Sequence, residues 1–222
     1  MTDKQVPDAV VFDMDGTLLD TESAARAAFM LAITDLGFEF QAETYNSCIG
    51  TSHAATQEIL TTAYGQHYDH GLLHERWTAR FVEHKQTSPI AIKPGVQRAL
   101  ESLAARSIPM AVATSNRREV CELHLAEAGL AAYFKHFVCA EEAGLTKPAP
   151  DPYLLAVKKL GAAPSASWAV EDSSIGVLSA YRAGLRVFHV PDLTIKSMPA
   201  NDIHPHSTVL TKVDELLQFI AT

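Results

Sequence analysis

Ala9-Val10-Val11-Phe12-Asp13-Met14-Asp15-Gly16-Thr17 is a short apolar run that ends abruptly in two acids, a glycine and a hydroxyl. Apolar residues without polar alternation suit a strand buried on both faces, as in a parallel sheet, with polar groups emerging at its carboxyl end. Working outward, similar runs stand at Pro109–Thr114, His136–Cys139, Trp168–Val170 and Arg186–Val190, separated by segments with helical spacing or helix formers. That alternation predicts an α/β fold with a parallel sheet.

Between Thr21 and about Ser88 the pattern changes. No strand-like run occurs there, and helix-forming stretches dominate at Glu22–Leu36, His53–Ala63 and Gly71–Gln86. The expectation is an inserted helical domain over residues 21–90, with a core built from residues 1–20 and 91–222. Gly37, Gly50 and Gly65 would separate its helices, and Pro89 and Pro94 bracket the return to the sheet.

Composition narrows the function classes. A chain of 222 residues with 47% hydrophobic and 20% charged residues has enough apolar material for one domain with a modest insertion. Its net charge of −8 disfavours nucleic acid, whose binding rests on Lys and Arg displacing counterions from phosphates. No window reaches the ~18 consecutive apolar residues of a membrane span, and Met1–Asp8 lacks the apolar run of a signal peptide. A soluble, cytoplasmic protein is therefore expected. Cys48, Cys121 and Cys139 are odd in number and widely spaced, which suits small core residues better than a disulfide framework or zinc site.

Four polar clusters fall where the apolar runs end, and ligands of open α/β sheets bind outside those ends. Asp13 and Asp15 can converge on one small site if the chain turns sharply at Gly16, although the same residues suit a capped turn. Thr114-Ser115-Asn116 offers hydroxyls and backbone N–H groups that could hold phosphate oxygens at a helix start, or simply cap that helix. Lys147, flanked by Pro148 and Pro150, could be aimed inward as a fixed cation. Glu171 and Asp172 are adjacent acids that repel each other unless a cation is shared. Together the four clusters describe a Mg²⁺-plus-phosphate site, because hard carboxylate oxygens suit Mg²⁺ and the cation reconciles acids with an anionic substrate.

Phe12-Asp13-Met14-Asp15-Gly16-Thr17-Leu18, Thr114-Ser115-Asn116, Lys147-Pro148 and Glu171-Asp172-Ser173-Ser174-Ile175-Gly176 resemble, in order, the four motifs of haloacid dehalogenase-like hydrolases. The resemblance spans the chain and implies a Rossmann-like core. The insertion resembles the helical cap of the subfamily with β-phosphoglucomutase and sugar-phosphate phosphatases. It implies a Mg²⁺-dependent phosphatase of small phosphorylated metabolites, such as sugar phosphates or nucleotides. Asp13 would be the nucleophile that forms an aspartyl-phosphate, and Asp15 the general acid and base. Thr114, Ser115 and Lys147 would hold phosphoryl oxygens. Asp13, the Asp15 carbonyl, Asp172 and Glu171 would take the metal. A cap that closes over bound substrate, with hinges near Asp20-Thr21 and Ile90-Pro94, belongs to the same expectation.

Departures sharpen the reading. β-Phosphoglucomutases carry a His and an Arg at the places where Ala25 and His53 stand here, which counts against the alternative of a phosphomutase. Asp15 argues against dehalogenation, which needs no proton donor, and against phosphonate hydrolysis, for which Lys85 is the only lysine of the insertion. In the insertion His53, Arg76 and Arg80 are candidates for substrate selection. Arg76 and Arg80 share a helix face that could meet a second anionic group, or could simply be solvated. His70 and His74 have metal-pair spacing, yet with ten histidines in the chain they read as surface residues.

Overall fold

A computed structural model describes residues 4–49, 53–65, 67–191, 205 and 207–221. The described residues divide into two units, one formed by those before Thr21 and after Pro89, the other by those within Thr21–Pro89.

The first unit is built on a six-stranded parallel sheet. Its strands are β1 (Ala9–Phe12), β2 (Met110–Ala113), β3 (His136–Val138), β4 (Ser167–Glu171), β5 (Arg186–His189) and β6 (Ser207–Val209), in the order β3-β2-β1-β4-β5-β6. β1, β2 and β4 are buried at every residue. That is why they read as unbroken apolar runs and not as alternations. After β3 the chain returns to the other side of β1, so the strand order reverses between β1 and β4. This is the switch point where the carboxyl ends of open sheets leave a crevice.

Helices α5 (Val96–Ala105), α6 (Arg118–Glu127), α7 (Asp151–Leu160) and α8 (Ser174–Arg182) belong to this unit. α5 buries Val96, Ala99, Leu100 and Leu103, a stripe at helical spacing that faces the core. α7 buries Pro152, Tyr153, Ala156 and Val157, and the last three join Val11, Ala111, Ala169, Val177 and Val187 in one apolar cluster. Full burial contributes about 1.5–3 kcal/mol for each side chain of valine size or larger.

The second unit holds α1 (Thr21–Asp35), α2 (Ala42–Cys48), α3 (His53–Tyr64) and α4 (His70–Thr87). Its own core gathers Phe29, Ala32, Ile33, Tyr45, Leu60, Tyr68 and Leu73, and the Trp77 indole donates to Ala25 O at 2.9 Å. Among the described residues no helix is long and apolar enough to cross a membrane.

Three elements differ from the sequence reading. α2 was not anticipated, because its seven residues bury only Tyr45 and show no apolar stripe. β6 was missed because an edge strand of Ser207, Thr208 and the exposed Val209 carries no apolar run. The helix after β2 begins at Arg118, with Arg117 as its cap, so Thr114-Ser115-Asn116 forms a loop ahead of the helix and not its start. Gly50 lies outside the described residues.

Candidate active site

β1 ends at Phe12, and the Asp13 N–H still bonds to Val170 O at 3.0 Å, extending the ladder by one residue. The chain then folds back on itself: the Leu18 and Leu19 N–H groups both reach Met14 O, and Gly16 N–H reaches Leu19 O at 2.8 Å. Gly16 has φ 76°, and a Cβ there would overlap the Asp172 carboxylate. Glycine is thus required both by the turn and by the close approach of β4's carboxyl end.

Asp13, Glu171 and Asp172 each bring a carboxylate oxygen within 4.8 Å of the others. The Lys147 Nζ sits between them, 2.6 Å from Asp13 Oδ1 and 2.6 Å from Glu171 Oε1, with its side chain only 6% exposed. Around this group Thr17 Oγ1 donates to Asp172 Oδ1 at 3.1 Å, and Tyr153 Oη donates to Glu171 Oε1 at 2.7 Å. Glu171 Oε2 accepts from the Ser173 hydroxyl at 3.1 Å. Ser173 caps α8 through Gly176 N, so the adjacent acids are not serving as that helix's caps. His189 Nε2 donates to Asp172 O at 2.9 Å, and burial lowers the imidazole's pKa.

Burial pushes the Asp13 carboxyl up to about 8 against the pull of Lys147, with Glu171 and Asp15 adding to the rise. Asp172 is held well above the usual carboxylate range, first by burial and then by Asp13 and Glu171. Burial alone would lower the Lys147 pKa, but Asp13 and Glu171 hold the ammonium above its ordinary value. Among the described residues one lysine faces this acidic cluster and leaves it short of positive charge. A small, hard divalent cation fits the deficit and the all-oxygen donor set.

Asp15 lies beside the loop after β2. Its Oδ2 accepts from Asn116 Nδ2 at 2.5 Å and from Thr114 Oγ1 at 3.4 Å. Thr114 is buried, whereas Ser115 is exposed at the loop's surface. The structure thus brings Asp13, Asp15, Thr114, Lys147, Glu171 and Asp172 to neighbouring strand ends, with Ser115 on the same loop as Thr114.

The candidates of the second unit stand differently. Arg80 gives Nε and Nη2 to the two Asp35 oxygens, each at 2.7 Å, and Nη1 to Glu83 at 2.8 Å. Arg76 Nε is 3.9 Å from the same Asp35. His53 opens α3, its side chain is outside the described residues, and the preceding Gly50-Thr51-Ser52 lies outside them as well. Among the described residues the histidines form no metal-binding group, and His70 Nδ1 pairs with Tyr68 Oη at 2.6 Å.

Tyr153 and Asn116 are the contributors that sequence reasoning missed. Tyr153 is one apolar position of a helical stripe, and only its 2.7 Å bond to Glu171 reveals it. Asn116 belongs to the Thr114-Ser115-Asn116 cluster, whose composition gives it no role of its own.

Residues 10–190 match the family model described as haloacid dehalogenase-like hydrolase. The Rhodobacter capsulatus protein CbbY is 32% identical over 193 residues, covering 82% of this chain and 85% of its own length. The fructose-1-phosphate phosphatase YqaB of Escherichia coli (strain K12) is 30% identical over 178 residues, covering 79% and 92%. The crystal structure of CbbY from Rhodobacter sphaeroides in complex with phosphate superposes with a TM-score of 0.73 at 26% identity, covering 95% of this chain and 96% of that one.

Proposed function

We propose, from the premise that this chain belongs to the haloacid dehalogenase-like hydrolases, that it is a phosphatase which uses Asp13 as a nucleophile and Mg²⁺ to cleave small phosphate monoesters. The observation that carries this reading is the convergence of Asp13, Glu171 and Asp172 within 4.8 Å around a cluster short of positive charge. Sugar phosphates are the favoured substrate class, since a relative of this chain is named for fructose-1-phosphate.

Asp13, Asp172 and the Asp15 carbonyl would hold the metal, with Glu171 as a further ligand. Glu171 already accepts from Lys147, Tyr153 and Ser173, so it also fixes the ammonium. When bound, Mg²⁺ supplies positive charge that offsets the carboxylates and the phosphoryl oxygens. Everything else falls to the chain's own groups. Lys147, the Thr114 hydroxyl and the Ser115 backbone N–H would hold phosphoryl oxygens in line with Asp13. An Asp13 oxygen attacks phosphorus, the ester oxygen leaves with a proton from Asp15, and an aspartyl-phosphate forms. Asp15 then takes a proton from water, whose oxygen attacks the same phosphorus and returns Asp13 and inorganic phosphate. The Lys147 ammonium beside Asp13 stabilises the charge that builds on the phosphoryl group.

Ala25, at the place of the mutase histidine, and the phosphatase among the relatives favour hydrolysis over phosphoryl relocation. A panel of sugar phosphates, nucleotides and small organic phosphates assayed with Mg²⁺ tests the reading. Release of inorganic phosphate that stops in excess EDTA is expected. Undiminished release after stripping, or isomerised sugar phosphate without free phosphate, would overturn it.

A further inference from the structure

We infer that Asn116 is a positioning residue for Asp15, dedicating one carboxylate oxygen to accepting hydrogen bonds so that the other carries and delivers the proton. The inference rests on the reading of Asp15 as the group that protonates the leaving oxygen.

The geometry starts at the end of β3. Thr114 N–H bonds to Val138 O at 3.0 Å, and Ala140 N–H bonds to Asn116 O at 2.9 Å. Asn116 N–H bonds in turn to Thr114 Oγ1 at 3.1 Å. The backbone of the loop is therefore fixed on both sides of Ser115, and Asn116's half-buried side chain has little freedom. From that base its Nδ2 donates to Asp15 Oδ2 at 2.5 Å. Thr114 Oγ1 reaches the same oxygen at 3.4 Å.

A carboxylic acid carries one proton on one oxygen. An oxygen already facing an N–H and an O–H is the wrong one, because its own proton would point at theirs. Oδ2 is thus the acceptor, and Oδ1 is the oxygen that gives and takes the proton. The Thr114 hydroxyl is also called on by the phosphoryl group in the proposed reaction. Its single proton cannot serve both, so the Asn116 amide is a donor that stays on Asp15 throughout the cycle. A lost donor would let the carboxyl rotate, and misplacement on that scale costs up to about 100-fold in rate.

Asn116→Ala and Asn116→Leu, the latter matching the branched outline of asparagine without its donor, test this in single turnovers with Mg²⁺. An alkyl phosphate needs a proton on its leaving oxygen, whereas p-nitrophenyl phosphate does not. Both variants should lose about 10- to 100-fold in phosphorylation by the alkyl ester and less than about 3-fold with the aryl ester. Inhibition by inorganic phosphate should be unchanged. An equal loss on both esters would mean that the loop, and not Asp15, was disturbed, and would overturn the inference. So would no loss on either. Asp15→Asn is the reference: if it fails to separate the esters, the role of Asp15 falls and the inference with it. The phosphatase reading would still stand if wild type releases phosphate and Asp13→Asn does not. Should the alanine variant not fold, the leucine variant carries the test.

Discussion

Stripping divalent cations should make the protein less stable as the pH rises from 6.5 to 8, and Mg²⁺ should abolish that trend. Asp13 has an ordinary carboxyl value of 3.8 in the unfolded chain and about 8 in the metal-free fold. Between those values the folded state holds a proton that the unfolded state has released. Stability from such a raised group is present at low pH and is lost as pH climbs toward the folded value. Asp172 is shifted the same way and adds to the slope. His189 works oppositely, since its lowered value makes stability rise with pH, but only up to its ordinary 6.5. Lys147 is charged in both states throughout this range. Above 6.5 the His189 contribution fades and the carboxylates dominate the slope.

One proton held only by the folded state changes stability by about 1.4 kcal/mol per pH unit, so Asp13 alone contributes at most about 2 kcal/mol across the interval and Asp172 adds to it. For a chain of 222 residues the Asp13 contribution alone corresponds to a Tm lower by about 4–8 °C. A cation at 100 times its Kd returns about 2.7 kcal/mol, and more fully at high pH, where no proton competes for the carboxylates. Thermal unfolding followed by circular dichroism at pH 6.5, 7.25 and 8, in EDTA and in excess Mg²⁺, reads both effects. Asp13→Asn should flatten the EDTA slope, because it removes one titrating group and relieves Asp172. A Tm in EDTA that is flat or rises over this range, and that Mg²⁺ leaves unmoved, would refute the reasoning.

Asp13→Asn should lower turnover by about 10⁴-fold or more, the scale on which removing a covalent nucleophile acts, as read by phosphate release. Lys147→Met leaves Asp13 and Glu171 without their buried counter-ion; a loss of about 3–5 kcal/mol in urea unfolding without metal is expected, partly restored by Mg²⁺. Tyr153→Phe removes a donor to the buried Glu171 and should cost about 1.5–3 kcal/mol by the same assay. Gly176→Ala would drive a Cβ into the Glu171 carboxylate; about 1–3 kcal/mol of overpacking and weaker Mg²⁺ affinity by calorimetry are expected.

The sheet was legible because its central strands are buried on both faces, and a run such as Ala9-Val10-Val11-Phe12 needs no partner to be recognised. The gathering of Asp13, Glu171 and Asp172 was legible for a related reason. In a parallel sheet all strands run one way, so every acid that follows an apolar run lands on one rim. What stayed hidden is what depends on register between distant segments. Arg80 and Asp35 stand 45 residues apart, and nothing local to either tells that the guanidinium is spent on that carboxylate.

The hydroxyl-rich loop was legible in kind but not in use, since Thr114-Ser115-Asn116 has the same composition whether it caps a helix or orients Asp15. Two glycines make the point most sharply. Gly16 has a positive φ and could be inferred from the turn that Asp13 and Asp15 demand. Gly176 lies inside α8, where an alanine would suit the helix better by up to about 1 kcal/mol. Its requirement is room for the Glu171 carboxylate, a steric fact about β4. A glycine needed for a turn announces itself in its own neighbourhood. A glycine needed for space is explained by residues on another element, and the sequence around it argues, wrongly, that it is dispensable.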